Sequence, residues 1–266
     1  MMGCDGENGG RLYESGTSAQ ACVDFSRIQT IVSYKRLICN RRPQGFSMAA
    51  DHTRTAILSA AERLYAERGF ADVTMRDIVT AADVNLSAVN YHFGSKDELF
   101  AELFVTRSLV TNRARLKELN AAEAIGGGRA DISAIFKALV GPTLRGCLGP
   151  GKQRSNAARF MIRASLESIP PIRKIKNREV DHLKRFAAAI RRTLPDHDAA
   201  DIFWSIHFAL AMAHQTIRDT ERLDKLSDGA CDIDDVAAII ARIVDVAGLA
   251  LSSRSRFAQA AMSRSS

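Results

Sequence analysis

The sequence predicts an all-α protein, and three observations support that prediction. Of the 266 residues, 46% are apolar and 25% are charged, which are the proportions of a globular chain with a hydrophobic core. Only 6 prolines and 17 glycines interrupt the chain, and its Ala-rich and Arg-rich runs favour helices. Apolar residues also recur at intervals of three and four, beginning with Ile57, Ala60, Ala61 and Leu64. We expect about nine helices, arranged as an N-terminal three-helix domain followed by a larger helical domain.

The two ends of the chain differ from its middle because no sustained apolar period runs through them. Residues 1–47 are predicted to form a disordered tail, and residues 253–266 a loose C-terminal tail. A translation start at Met48 is an alternative interpretation of the first segment. Between these ends we expect one domain over residues 48–98 and a second over residues 99–252.

The composition also narrows the compartment and the chemistry. No run of about 18 uncharged apolar residues occurs, and the first residues lack the pattern of a secretory signal, so we expect a cytoplasmic protein without a membrane span. The five cysteines show no paired metal-like spacing and fit reduced thiols. The sequence therefore predicts neither a metal site nor a cofactor.

The first two predicted helices are short and have clear ends. One helix over residues 53–68 ends at Gly69, which suits a left-handed cap. A second helix over residues 75–82 follows Thr74, and Asp77 lies three residues beyond that threonine, which is the spacing of a capping box.

The segment VNLSAVNYHFGSKDELF, residues 84–100, contains the end of one helix and the start of another. A third short helix is predicted over residues 85–92, after a turn of about three residues, which is the spacing of a helix-turn-helix. Ser95 and Glu98 then form a second capping-box pattern, which predicts a long fourth helix.

Three stretches, AAERLYAERGF, TMRDIVTAADV and LSAVNYHFGSKDELF, resemble the TetR family of regulators in order and spacing over residues 53–104. Asp83 stands where the family usually has Gly, and Asp tolerates a left-handed conformation. The resemblance implies a non-enzymatic homodimeric regulator, a repressor released from double-stranded operator DNA by a small-molecule effector. The segment VNLSAVNYHFGSK is also similar to the branch of this family that senses fatty acids or their thioesters.

A recognition helix presents hydrogen-bonding and apolar side chains to base edges, while its flanks contact phosphate. Residues 48–98 hold five basic residues against eight acids, so the prediction rests on where polar groups lie rather than on the total charge of +7. Thr74 and Ser95 would be helix caps in any helical protein. The predicted DNA contacts are Thr74, Arg76, Asn85, Leu86, Ser87, Asn90, Tyr91, His92 and Lys96.

The last two predicted helices suggest a dimer interface. Residues 198–220 are apolar almost all round, which predicts a helix buried on more than one side. Together with residues 233–251 it could form half of an intermolecular four-helix bundle, which is also how the family dimerises. The predicted interface residues are Phe203, Trp204, His207, Ile239 and Ile243.

The helices between these regions are predicted to enclose a pocket for a small, largely apolar effector. The candidate lining residues, each of which could equally be ordinary core, are Phe136, Leu139, Phe160, Met161, Leu166, Phe186 and Ile190. Thirteen Lys and Arg between residues 145 and 192 face three acids. They form either a solvated surface or the mouth of a pocket for an anionic effector, such as a carboxylate or a coenzyme A thioester.

Two other classes of function stay open at this point. An all-α lyase or hydrolase could use His207, His214 or a cysteine, but no nucleophile, base and orienting acid occur at a recognisable spacing. The two histidines are seven residues apart, a helical rise of about 10.5 Å, which is too far for one metal ion. The other alternative is an interaction adaptor whose helix-turn-helix no longer binds DNA.

Overall fold

The computed structural model describes residues 48–149, 155–167 and 169–252, and every regular element in these ranges is helical, which confirms the all-α prediction. The segments predicted as tails, residues 1–47 and 253–266, lie outside the described residues. In chain order the helices are α1 (Met48–Arg68), α2 (Met75–Ala82), α3 (Leu86–Phe93), α4 (Lys96–Ile125), α5 (Ile132–Cys147), α6 (Asn156–Leu166), α7 (Pro170–Arg178), α8 (Asp181–Thr193), α9 (Ala199–Arg218), α10 (Thr220–Leu226) and α11 (Val236–Ser252).

The first three helices form the predicted helix-turn-helix unit, and local side-chain chemistry fixes their ends. Gly69 is left-handed, with φ at 87°, and ends α1. The hydroxyl of Thr74 accepts from the Asp77 amide at 3.2 Å, and the Asp77 carboxylate accepts from the Thr74 amide at 2.8 Å, so the capping box is complete. Asp83 adopts the expected left-handed conformation at φ 52° and ends α2.

Helix α4 is shared by the three-helix head and the larger domain. The Ser95 hydroxyl accepts from the Glu98 amide at 3.2 Å, and the Glu98 carboxylate accepts from the Ser95 amide at 3.0 Å, which confirms the second capping box. Its first turns bury Leu99 and Phe104, whereas Leu119 belongs to the core of the larger domain. With 30 residues, α4 spans about 45 Å and links the two regions mechanically.

Two boundaries in the larger domain differ from the sequence prediction. The glycines and prolines of residues 141–155 predict a loop, but helix α5 continues through Pro142 to Cys147. The apolar pattern of residues 173–193 predicts one helix, but the structure has two there, because Glu179 leaves helical geometry at φ −92° and ψ 64°. Helix α7 also begins earlier, at Pro170, where a proline at the first position loses no helical hydrogen bond.

The core of the larger domain lies between α4, α5, α8, α9 and α11. Helix α9 buries one stripe within the single chain, and the burial of a second side in a dimer stays a prediction. The stripe consists of residues spaced three or four apart, namely Ile202, Ile206, Ala209, Ala213 and Ile217. Within the described ranges, every helix is too short or too polar to cross a membrane.

Candidate functional site

Helix α3 presents one side to solvent and anchors the other in the head. Val89 is fully buried and Phe93 is 6% exposed, so these two residues fix the rotation of the helix. Leu86 and Tyr91 are 44% and 63% exposed. Ser87 and Asn90, also predicted DNA contacts, are exposed between them. We call Leu86, Ser87, Asn90 and Tyr91 the reading face, a convex strip of mixed polar and apolar groups.

The residues at the helix starts are partly occupied by capping. The side-chain oxygen of Asn85 accepts from the Ala88 amide at 2.7 Å, which leaves its amide nitrogen as the donor for another partner. The Thr74 hydroxyl donates to the Asp77 carboxylate at 2.6 Å. A phosphate at the start of α2 would therefore be met mainly by backbone amides and by exposed Arg76.

His92 and Lys96 lie at the far end of the reading face. Partial burial, with the charge of Arg54 as a second cause, lowers the pKa of His92, so its imidazole is neutral at neutral pH. The Lys96 ammonium donates to the Phe70 carbonyl and lies 4.1 Å from the centre of the Phe70 ring. This contact ties the start of α4 to the loop after α1. The phosphate contact of Lys96 stays a prediction.

Several acids of the head make local contacts that hold their carboxylates in place. Glu62 is buried and accepts from Arg107 of α4. Asp77 and Glu98 hold the capping boxes, and the hydrogen bonds from Thr74 lower the pKa of Asp77. These carboxylates make structural contacts within the head. The affinity of the head for a polyanion therefore depends on its other exposed side chains.

The head and the larger domain meet in a cluster of aromatic rings. The ring of Phe100 is the centre of this cluster. Its centre lies 4.8 Å from that of Tyr65 in α1, 5.0 Å from that of Phe70 and 5.2 Å from that of Phe160 in α6. Phe160 was predicted to line the pocket, but it packs at this junction because α6 runs against α1.

Hydrogen bonds join the end of α6 to the end of α1. The sequence analysis did not predict them. The Glu167 carboxylate accepts from the Phe70 amide at 3.0 Å, and Arg163 donates to the Glu67 carbonyl at 3.1 Å. A Cβ on Gly69 would lie 2.7 Å from the Glu167 carboxylate, so glycine permits the approach. The partners are more than 90 residues apart, and no local pattern signals such a contact.

The other predicted pocket residues lie in or beside the interior of the larger domain. Phe136, Leu139, Phe186 and Ile190 are fully buried, and Met161 is half-buried. The side chain of Leu166 lies outside what the structure describes.

A buried cation, Arg115 of α4, lies in the same interior and was missed by the sequence analysis. Its position in the sequence could have indicated burial, because Arg115 lies four residues before Leu119, on the apolar stripe of the helix.

The basic residues between positions 145 and 192 include several with acidic partners. Arg145 pairs with Glu118, while Arg185 and Arg192 both pair with Glu123. Those arginines link the surfaces of α5 and α8 to α4. Their pairing favours a structural role over the mouth of an anion pocket.

A second exposed surface, apolar rather than mixed, lies on α9 and α11. Trp204 and Phe208 stack with ring centres 5.3 Å apart, and His207 meets the tryptophan edge at 5.7 Å. The large apolar side chains exposed on these helices, which we call the apolar face, are Phe203, Trp204, Phe208, Val246 and Leu249.

Two of the predicted interface residues lie away from this face. Ile243 is 5% exposed and belongs to the core of the single chain, and Ile239 packs partly buried against that core. The register of α11 instead turns Val246 and Leu249 outward.

Two models from one family match the two regions of the chain. The model described as bacterial regulatory proteins of the tetR family matches residues 57–103. The model described as a tetracyclin repressor-like C-terminal domain matches residues 137–248.

Curated relatives match a short segment of the chain. The chain is 43% identical over 54 residues to the HTH-type transcriptional regulator TtgR of Pseudomonas putida, which is 20% of this chain and 26% of that protein. It is 36% identical over 55 residues to the HTH-type transcriptional regulator AcrR of Shigella flexneri, 21% of this chain and 26% of that protein. The matched segment thus spans about a quarter of these relatives' length.

Solved structures extend the likeness of fold over both regions. A tetR-family transcription regulator from Shewanella sp. PV-4 matches with a TM-score of 0.52 and 15% identity, over 73% of this chain and 97% of its own. A TetR-family regulator from Rhodococcus sp. matches with a TM-score of 0.50 and 14% identity, over 76% and 99%.

Proposed function

Because the chain belongs to the TetR family of transcriptional regulators, we propose that it is a homodimeric repressor that a small molecule releases from its operator. Its family comprises DNA-binding regulators rather than enzymes. The observation that carries the proposal is the reading face of α3, held outward by two buried anchors at the third helix of a helix-turn-helix. In this proposal residues 48–98 bind DNA, and residues 99–252 bind the effector and dimerise, in the cytoplasm.

The reading face has the chemistry needed in a major groove. Ser87 and Asn90 offer hydrogen bonds to base edges, and Leu86 offers apolar contact to a thymine methyl group. In this proposal Tyr91, at the C-terminal end of the face, contacts the sugar-phosphate backbone, and so does Arg76. The predicted contacts of His92 and Lys96 fall at the same end of α3.

The apolar face supports the dimer part of the proposal. Stacked Trp204 and Phe208 leave about half of each side chain in solvent, which is unfavourable for a protein that stays monomeric. A second copy would cover the same surface around a two-fold axis and place two α3 helices on one duplex. Such a bundle would use Phe203, Trp204 and His207, with Val246 and Leu249 replacing two predicted residues of α11.

Release by an effector requires a path from the interior of the larger domain to the head. The contacts of Arg163 and Glu167 with the end of α1 supply one, because movement of α6 would pull on that helix directly. Long helix α4 supplies the second. The proposed effector is small and largely apolar, and fatty acids or their thioesters are the first class to test.

A gel-shift assay with the DNA upstream of the chain's own gene tests the proposal. Wild type is expected to bind one duplex specifically. Asn90→Ala is expected to weaken that preference, whereas Tyr91→Ala is expected to weaken binding to all duplexes alike. Lys137→Ala, an exposed change on α5, is the matched control and should bind like wild type. Absence of sequence-specific binding by wild type would favour the adaptor alternative.

A further inference from the structure

One cationic side chain, Arg115, lies inside the larger domain, and part of its donor capacity is unused. It is 8% exposed and sits one turn before fully buried Leu119 on α4. Its Nη1 donates to the Asn112 side-chain oxygen at 3.2 Å, and its Nη2 donates to the Thr143 hydroxyl at 2.8 Å. The Nε–H group has no acceptor among the described residues.

No carboxylate balances this charge in the described part of the chain. The ion pairs found there involve nine other Lys or Arg side chains. Burial lowers the pKa of Arg115 to about 10, so the guanidinium is still cationic at neutral pH. A buried charge that meets only neutral acceptors is costly to the fold. Groups of this kind are candidates for ligand contacts.

Two imidazoles, those of His182 and His214, lie close enough to Arg115 for its charge to lower their pKa values. Burial, followed by the charge of Arg115, lowers the pKa of His182 on α8 to about 4, so this ring is neutral. His214 on α9 has its pKa lowered by desolvation and by Arg115 and Lys176, although much of its surface reaches solvent. Arg115 is the buried charge in this group, because the side chains of Lys176 and His214 are exposed.

We propose that Arg115 binds the carboxylate of an amphipathic effector whose apolar part packs among the core side chains of α5 and α8. The inference rests on the proposed function and specifies its ligand class. Phe136, Leu139 and Phe186 are fully buried on those two helices, and Thr143, which accepts from Arg115, lies one turn after Leu139 on α5.

The donors left on Arg115 fit a planar monoanion. A carboxylate accepts from a guanidinium through two parallel hydrogen bonds, and the free Nε–H can supply one of them while a remaining Nη hydrogen supplies the other. An alcohol or an ester of the same chain offers no anion to this group. A thioester likewise presents a neutral carbonyl at this depth, so free acids should bind more tightly than their thioesters.

Decanoate, used below its critical micelle concentration, is the probe, and decanol and methyl decanoate are the neutral controls. Binding is measured by calorimetry and by the rise in Tm on wild type, Arg115→Met and Arg115→Gln. Arg113→Met is the matched control, because Arg113 is exposed on the same helix. Wild type and Arg113→Met should bind decanoate, and both Arg115 variants should bind about ten- to hundredfold more weakly.

Loss of the buried charge should leave the unliganded Arg115→Met protein at least as heat-stable as wild type. Equal decanoate binding by wild type and the Arg115 variants would overturn the inference, as would decanol binding as tightly as decanoate or no binding of decanoate to wild type. If the variants fail to fold, the comparison of decanoate with decanol on wild type decides. Gel shifts without ligand distinguish a failure of this inference from a failure of the proposed function. If the protein binds DNA specifically but does not respond to decanoate, only the inference about Arg115 is contradicted.

Discussion

Helices α3 and α9 both expose aromatic side chains, but they do so in opposite chemical contexts. The eight residues of α3 place Tyr91 beside Ser87 and Asn90, so the exposed strip mixes rings with hydrogen-bonding groups. The twenty residues of α9 place Trp204 and Phe208 side by side, with His207 as the polar group next to them, so this strip is mainly apolar. A mixed strip suits the polar edges of base pairs, whereas a mainly apolar strip suits another apolar surface. Exposure alone does not identify the partner; the neighbours of the exposed ring do.

The largest effect is expected at the apolar face. Trp204→Glu would place a charge in the proposed dimer interface, at a cost of about 3–5 kcal/mol in association. Sedimentation should show a dimer for wild type and a monomer for the variant, while circular dichroism stays helical. Lys137→Glu, exposed on α5, should remain dimeric. A dimeric Trp204→Glu protein would show that the α9 face is not the interface.

Two neighbouring residues of α3, Val89 and Asn90, are expected to have different roles, one in stability and one in DNA recognition. Val89→Ala should lower the free energy of unfolding by about 2–3 kcal/mol, because it removes buried methyl groups. Asn90→Ala should change that free energy by less than about 0.5 kcal/mol, yet cost about 1–3 kcal/mol of discrimination between DNA sequences. Denaturant unfolding and competition gel shifts measure the two effects. Equal losses of stability would contradict the division between buried and exposed sides.

Lowering the pH should reduce the free energy of unfolding through protonation of His182 in the larger domain. The folded pKa of His182 is about 4, below its ordinary value of 6.5, so the unfolded chain binds the proton more readily. The resulting stability is present above pH 6.5 and is lost as the pH falls towards 4. Between pH 7 and pH 5 we expect a loss of up to about 2 kcal/mol from this residue. His182→Gln should flatten the pH dependence, and an unchanged profile would contradict the assignment.

The smallest expected effect concerns the cap that joins the head to α4. Ser95→Ala removes the hydroxyl that accepts from the Glu98 amide and should cost about 1 kcal/mol of stability. Ser59→Ala, in the exposed middle of α1, should cost nothing measurable. Thermal unfolding of both variants distinguishes a cap from an ordinary surface serine.

The head could be predicted closely from sequence because its architecture is local. Both capping boxes and the left-handed turn at Asp83 depend on residues within four positions of one another. The same is true of the exposed side of α3, since Val89 and Phe93 mark its buried side by spacing alone.

The larger domain was less predictable because its decisive contacts join distant segments. Glu167 reaches Phe70, and Arg115 meets Thr143, through tertiary packing that no local period encodes. The same limit explains Ile243, whose apolar character fits a dimer interface and a core equally well, and which the structure buries in the core.

The most direct test of the central claim is the stoichiometry and symmetry of DNA binding. A duplex selected by wild type from a random library should contain a two-fold-symmetric site and bind two chains, with protected half-sites about one helical turn apart. Scrambling one half-site should abolish tight binding, and Asn90→Ala should distinguish the site from random duplex less well, by about 1–3 kcal/mol. Equal binding of one chain to a single half-site, or binding that ignores sequence, would contradict the account.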